Sequence, residues 1–396
     1  MKEDAMKTIT VLGNNSGRNA GDNAILGNLL DDFARERSDI LFQVPTLNPA
    51  FIRNHFGHHP VRPMGMLPWN LAVKNFGWPL FRSMTSTGMV LITDNILFDR
   101  KFYNPLVNYL MSIALFSSFS RKKNIPIVLY NASVGPIDQE SGRRALQAVL
   151  DGSPLVITRD EQTRELIERL CPRHPEIVVH ADCALNTEIP SESRLQEIIR
   201  KEELFRGPKG TIGLNINAYI DTWSRSGKLR SDDFHAIIAG TADRLIEELD
   251  VDILFTVSQV MDMKSTLACV RKIRRRDRVR VVGNDRYTYQ ELAGLLSRLE
   301  VHAGLRTHTL IFCAAVNTPM INIEAYPKSA GFLRTIGMKD WNINLDGITV
   351  DSLAGIIRKA WAEREGLRRM MRPIVDLEKK KARASVGLVS MILDGS

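Results

Sequence analysis

The sequence predicts an α/β protein of two doubly wound parallel sheets facing each other across a cleft. Short apolar runs of strand length alternate with amphipathic helical stretches, the pattern of parallel strands joined by crossover helices. The series loosens into a charged stretch from Asn186 to Lys209 and restarts at Thr211. The segments rich in Gly, Asn and charge follow the strands, at the carboxyl edge where such sheets bind ligands. At 396 residues the chain is too long for one small core. The expected division is 1–190 for an N-terminal domain, 191–209 for a linker, 210–350 for a C-terminal domain and 351–396 for a helical tail.

Taken in order, Thr8 to Gly13 reads as a first buried strand and Asn14 to Asp22 as a turn rich in Gly and Asn. A helix follows, with Ile25, Leu26, Leu29, Leu30 and Phe33 at helical spacing and Asp22 suited to its N-cap. The G-x-G-x-x-G spacing of a dinucleotide site is absent. Ile40 to Val44 reads as a strand, and Asn54 to Trp78 as a long connection holding a short helix. His55, His58 and His59 fall in it, and no carboxylate or cysteine beside them in the sequence supports a metal site. Met89 to Thr93 is a strand ending in Asp94-Asn95, followed by a helix over Pro105 to Lys122. Further strands are expected at Ile125 to Tyr130, Leu155 to Thr158 and Ile177 to His180, with helices over Arg143 to Leu150 and Asp160 to Leu170. Asp160 suits an N-cap. Arg159 is harder to explain, because a cation at a helix N-terminus opposes the helix dipole unless it faces an anion.

The second series runs as strands Thr211 to Ile216, Asp252 to Thr256 and Val279 to Val282, with helices Asp232 to Leu249, Asp262 to Arg275 and Tyr289 to Leu299. It ends in the most informative stretch. A strand end near Val301 to Leu305 leads into Arg306-Thr307-His308, then an apolar helix from Leu310 to Val316 and a strand from Met320 to Ile323. The free N–H groups and dipole of a helix start favour an anion. Arginine adds a fork suited to carboxylate or phosphate, and histidine a group able to move a proton near neutral pH. The tail from Asp351 reads as a helix with a basic face and a final apolar patch, Val386 to Leu393. Packing across the domains or contact with a membrane surface would use that patch.

Composition narrows the function. Hydrophobic residues make up 44% and charged residues 25%, ordinary for a soluble globular protein. A net charge of +8 favours an acidic ligand or anionic surface. No interleaving of aromatic and basic residues marks a nucleic-acid binder, so no nucleic-acid partner is expected. Cys171, Cys183, Cys269 and Cys313 are scattered, which fits a reducing compartment and neither a disulfide framework nor a zinc cluster. Met1 to Lys7 is charged and runs into a strand, unlike a signal peptide, so a cytoplasmic location is expected. Met66 to Phe81 and Tyr109 to Phe119 are too short or interrupted to span a bilayer and leave at most peripheral membrane contact.

Several ordered pieces resemble the polysaccharide pyruvyl transferase family: Asn19-Ala20-Gly21-Asp22-Asn23-Ala24-Ile25, Gly135-Pro136, Thr158-Arg159-Asp160, Ala181-Asp182-Cys183-Ala184, Gly304-Leu305-Arg306-Thr307-His308 and Tyr326-Pro327-Lys328. The resemblance implies two Rossmann-like domains in a GT-B-like arrangement. It also implies transfer of the enolpyruvyl carbons of phosphoenolpyruvate to a sugar of a glycan or lipid-linked oligosaccharide, usually as a cyclic ketal. Phosphoenolpyruvate is then the co-substrate, and no metal or other cofactor is expected. By that resemblance Arg159, Arg306 and Lys328 hold the donor; on chemical grounds the backbone N–H groups at Thr307 and His308 add to its phosphate cradle, and His308 is the candidate acid. From their places in strand-end loops, Asp22 is the candidate for deprotonating or orienting the acceptor, and Asn19, Asp94 and Asn95 are the candidates for binding it. Plainer roles stand beside these: Asp22 as a helix cap, His308 as a hydrogen-bonded helix-start residue, Lys328 paired with Glu324. Two loops depart from the family pattern. Thr93-Asp94-Asn95 stands where a run of glycines is common, and Ser258-Gln259-Val260 where a histidine often follows the strand. A nucleotide-sugar glycosyltransferase using Glu324 at the ribose is the alternative enzyme, and a non-catalytic glycan-binding module the alternative class.

Overall fold

The computed structural model describes residues 6–66, 78–99, 109–218, 220–223, 229–325 and 327–395. The chain divides into two compact units. The first comprises Met1–Gly17, Ile25–Cys183 and Glu378–Ser396, the second Arg18–Ala24 and Ala184–Leu377.

The first unit holds β1 (Lys7–Leu12), β2 (Ile40–Thr46), β3 (Val61–Gly65), β4 (Met89–Ile92), β5 (Ile127–Ala132), β6 (Val156–Thr158) and β7 (Ile177–Val179). They form one sheet in the order β3-β2-β1-β4-β5-β6-β7, with every neighbouring pair parallel. All four residues of β4 and all six of β5 are buried, as expected of strands covered on both faces. Leu12, Ile92, Leu129 and Val156 share a core with Leu110 and Ile113 of helix Tyr109–Lys122 and with Leu146 and Val149 of helix Glu140–Leu150. Phe33 of helix Ala20–Glu36 packs edge-on against Phe42 of β2, ring centroids 5.4 Å apart.

The second unit repeats the plan with β8 (Thr211–Asn215), β9 (Asp252–Val257), β10 (Val279–Gly283), β11 (Val301–Gly304), β12 (Met320–Glu324) and β13 (Asn342–Asn344). The order is β10-β9-β8-β11-β12-β13, again all parallel. Each sheet reverses its strand order beside its first strand, between β1 and β4 and between β8 and β11. The loops leaving those strands flank the position where open α/β sheets place ligands.

Several expectations need correction. The stretch Asn54 to Trp78 is not merely a connection with a short helix, because Val61–Gly65 adds the edge strand β3. Pro63 hides it in the sequence, yet proline is tolerated on an edge strand. Residues 67–77 of that stretch, and 105–108 of the helix expected from Pro105, lie outside the described residues. The apolar helix expected from Leu310 starts at Thr307, which makes Arg306 its N-cap residue. Asp22 is not an N-cap: the helix begins at Ala20, and the Asn19 side chain accepts the Gly21 N–H at 2.9 Å. The tail is part of one helix, Val350–Gly395, whose last stretch packs within the first unit, as one of the two expected roles has it. Val386, Val389 and Leu393 are buried, and Ser385 bonds to Asn131 and His180 of the first unit. No described helix is long and apolar enough to cross a membrane. The histidine cluster does have a carboxylate beside it, since Asp31 of helix Ala20–Glu36 reaches His59 at 3.0 Å.

One buried group sets a pH limit on the second unit. His302 on β11 is fully buried, with no hydrogen-bond partner for either ring nitrogen among the described residues. Glycines make its space: a Cβ on Gly213, its partner on β8, would lie 2.5 Å from Nδ1, and one on Gly304 would lie 2.9 Å from Nε2. Burial pushes its pKa from 6.5 down to about 3. The unfolded chain therefore takes up a proton that the folded unit refuses. His302 carries no ionisation penalty above the unfolded pKa, and stability falls as pH drops from there toward the folded pKa. Between pH 7 and pH 5 the wild type should lose about 2 kcal/mol more than His302→Leu, from ~1.4 kcal/mol per pH unit below 6.5. Urea unfolding of both proteins at the two pH values measures this, and equal losses would refute the assignment.

Candidate functional site

At the carboxyl edge of the second sheet, three strand-end loops meet around one buried charge. Asp262 follows β9 and has no exposed side-chain surface. Its carboxylate accepts Arg306 Nε and Nη2, each at 2.7 Å, and the Ala218 N–H at 2.9 Å. Asn215, the last residue of β8, ties the same loops: its amide donates to the Thr256 carbonyl at 2.7 Å, and its Oδ1 accepts the Arg306 N–H at 3.0 Å. Arg306 thus enters helix Thr307–Ala315 with main chain and side chain both fixed. Thr309 Oγ1 donates to Ser258 at 3.0 Å and anchors the first turn.

The segment Arg18–Ala24 belongs to this unit and lies against these loops. Asn19 pairs with Gln259 in an antiparallel bridge, Ala20 donates its N–H to the Ser258 carbonyl at 2.8 Å, and Val260 donates to the Arg18 carbonyl at 3.1 Å. A Cβ on Gly21 would sit 2.2 Å from Cγ and Nδ1 of His308. Only glycine leaves room for the imidazole there, so the first turn of one helix fits against the first turn of another. Asp22 is the next residue and is 7% exposed. The structure therefore brings Asn19, Asp22, Arg306, Thr307 and His308 into one unit, at a switch point with two helix starts. The hydroxyl of Thr307 and Oε1 of Gln259 are buried without a partner among the described residues. Lys328 is the second residue of helix Pro327–Thr335 after β12, and its side chain lies outside the described residues. Glu324, the last residue of β12, accepts from Asn342 Nδ2 at 2.5 Å.

Arg159, Asp94 and Asn95 belong to the first unit. Arg159 follows β6, is 10% exposed, and donates through Nη1 to Asp182 at 2.5 Å and through Nε to Ser133 at 2.8 Å. Burial opposes its charge, but Asp182, Asp94 and Asp160 hold its pKa above the ordinary arginine value. Its place before a helix is thus explained by carboxylates of the protein itself. Asp160 caps that helix as expected, accepting the Thr163 N–H at 2.7 Å. Asp94 adopts a left-handed φ of 59° after β4, and Asn95 beside it keeps a buried Oδ1 without a partner among the described residues.

Sequence reading missed Asp182 as the partner of Arg159 and Asp262 as the partner of Arg306. Asp262 read only as a helix start, and nothing local pairs a carboxylate with an arginine 44 residues away. Asp262→Asn keeps an acceptor for Ala218 but loses the charge facing Arg306. It should destabilise the second unit by about 3 kcal/mol, at the low end for breaking a buried ion pair because Arg306 is 22% exposed. Denaturant unfolding measures this, and a change within 0.5 kcal/mol would show that the fork contributes little.

A family model described as polysaccharide pyruvyl transferase matches residues 19–325. Comparison of the sequence with curated proteins finds no match. Solved structures are similar along nearly the whole chain. Anabaena Alr3699/HepE in complex with UDP aligns with a TM-score of 0.62 at 12% identity, covering 99% of this chain and 100% of that one. UDP-GlcNAc 2-epimerase from Neisseria meningitidis bound to UDP-GlcNAc aligns with a TM-score of 0.65 at 10% identity, over 99% and 100%. E. coli ADP-heptose LPS heptosyltransferase II aligns with a TM-score of 0.50 at 14% identity, over 91% and 100%. At these identities the likeness shows the fold, that of the GT-B glycosyltransferases and epimerases. The matched residues span most of the chain, and the chain belongs to the polysaccharide pyruvyl transferase family.

Proposed function

We propose that the protein transfers the pyruvyl group of phosphoenolpyruvate to a sugar of a polysaccharide or lipid-linked glycan, as a ketal, releasing phosphate. The carrying observation is the Arg306-Thr307-His308 helix start at the switch point of the second sheet, with His308 lodged against Gly21. A helix start with a fixed arginine suits a small, doubly acidic donor. The imidazole beside it suits proton transfer.

In this reading His308 gives a proton to the methylene carbon of the donor. A sugar hydroxyl attacks the adjacent carbon, which has gained positive character. The carbon–oxygen bond to phosphate breaks, and a second hydroxyl closes the ketal. The two hydroxyl protons return one to His308 and one to the departing phosphate, so the step balances without a redox partner. Thr307 and Lys328 complete the donor contacts. Asp22 orients or deprotonates the acceptor, which Asn19, Asp94 and Asn95 help to bind. Arg159 is assigned to the donor by its place in the family motif and is tested by its own variant. The chemistry activates no water and calls for no metal. The reading carries with it a cytoplasmic location and, where the glycan is lipid-linked, peripheral contact with the membrane.

A nucleotide-sugar transferase is the second reading. It draws on the UDP bound by the Anabaena protein and on Glu324 at the end of β12. Thermal shift separates the two, because a ligand bound at 100 times its Kd raises stability by about 2.7 kcal/mol. Phosphoenolpyruvate should raise the midpoint, and UDP- and GDP-sugars should not. With an acceptor glycan, mass spectrometry should show a gain equal to pyruvate minus water. His308→Ala should lower kcat by at least about a hundredfold with little change in KM for phosphoenolpyruvate. Arg306→Ala and Arg159→Ala should raise that KM. Wild-type rates in His308→Ala and Arg306→Ala would end the proposal.

A further inference from the structure

We propose that Asp31, His58 and His59 form a binding site for a zinc-class divalent cation, at the amino-terminal edge of the first sheet. Asp31 lies in the second half of helix Ala20–Glu36, which returns from the end of β1 toward the start of β2. His58 and His59 lie in the turn between helix Pro49–Phe56 and β3, just ahead of Val61. Both segments are therefore at the edge where strands begin, whereas Arg159 and Asp94 follow strand ends. The cation belongs to neither the donor nor the acceptor of the proposed reaction.

The ligand atoms of the three side chains all lie within 4.8 Å of one another. Ligands at ~2.0–2.1 Å from a tetrahedral zinc are about 3.3 Å apart, so small rotamer changes close the set. His59 is already within 3.0 Å of Asp31, and its side chain is 10% exposed. The turn is pinned on both sides, by the His59 N–H to the Phe56 carbonyl at 3.0 Å and the Val61 N–H to the His59 carbonyl at 2.8 Å. A hydrogen bond to Asp31 explains His59 alone. The His58 ring lies tilted against that of His59, centroids 4.2 Å apart, and its ligand atom is within 4.8 Å of those of both His59 and Asp31. His55 takes no part: Nδ1 lies 3.0 Å from the Phe51 carbonyl, and the ring stacks on Phe51 at 4.1 Å.

Two imidazoles and one carboxylate match zinc, cobalt or nickel rather than magnesium or calcium, which prefer oxygen. His58 is exposed, so water completes the coordination. Such a cation ties the helix after β1 to the turn before β3, a structural role.

The test uses the full chain without a histidine tag, stripped with a chelator and titrated with ZnCl2, CoCl2 or MgCl2. The expected result is one Zn2+ per chain, a raised unfolding midpoint, a visible Co2+ spectrum of low coordination number, and no response to Mg2+. His58→Ala removes an exposed ligand, so it should fold as the wild type does without metal. It should bind Zn2+ about a hundredfold more weakly, since even second-shell losses reach 10–100-fold. Asp31→Ala should act likewise. The proposal is overturned if wild type binds no Zn2+, or if both variants keep wild-type affinity, which would place the metal on other histidines.

Discussion

The second unit depends on keeping Asp262 charged where no water reaches it. A buried carboxylate is stable only if its oxygens are saturated, and here one guanidinium fork and one backbone N–H saturate them. The three groups come from the loops after β8, β9 and β11. The same contacts therefore fix which way each loop leaves the sheet. They set Arg306 at the N-cap, which starts the helix at Thr307 and puts His308 in its first turn. The absence of a side chain at Gly21 is the complementary half of that fit.

The first unit solves a related problem with different parts. Arg159 also stands just ahead of a helix, where a cation opposes the dipole, and a carboxylate from another strand end again meets it. Ser133 sits between Arg159 and Asp160, accepting from one at 2.8 Å and donating to the other at 2.9 Å. Asp160 can then cap its helix and still face the arginine. In each unit, an arginine that the sequence makes look available to a ligand already has a protein carboxylate as its partner.

The sheets were legible because their inner strands hold continuous apolar runs, such as Met89–Ile92 and Ile127–Tyr130. What escaped was at the edges. β3 contains Pro63 and only half-buried or exposed residues, and β13 is three residues of Asn-Ile-Asn. Neither needs the hydrophobic run that marks a central strand, because each has a neighbour on one side only. The helix start at Thr307 was misplaced for another reason. Thr307 and His308 are half-buried and polar, so periodicity finds only the apolar body from Leu310 onward. Among the site residues, those sharing a motif were visible together, as with Arg306 to His308. Asp182 and Asp262 act through pairings that only the folded topology creates.

The fork to Asp262 also changes what Arg306 can contribute to an anionic ligand. Its Nε–Nη2 edge is the one that would grip a carboxylate or phosphate with two parallel bonds, and that edge is committed. A ligand taking it must displace Asp262, leaving a carboxylate with no exposed surface and one backbone N–H. The cost of that stranded charge offsets most of what a new pair would gain. The favourable course keeps the fork intact. On the proposed reading, Arg306 would then act on an anion mainly through its field, and the N–H groups at the helix start would provide the directional contacts. In that arrangement Asp262 would set the strength of the proposed anion binding without touching the ligand, because it determines how much of the guanidinium charge remains to be felt.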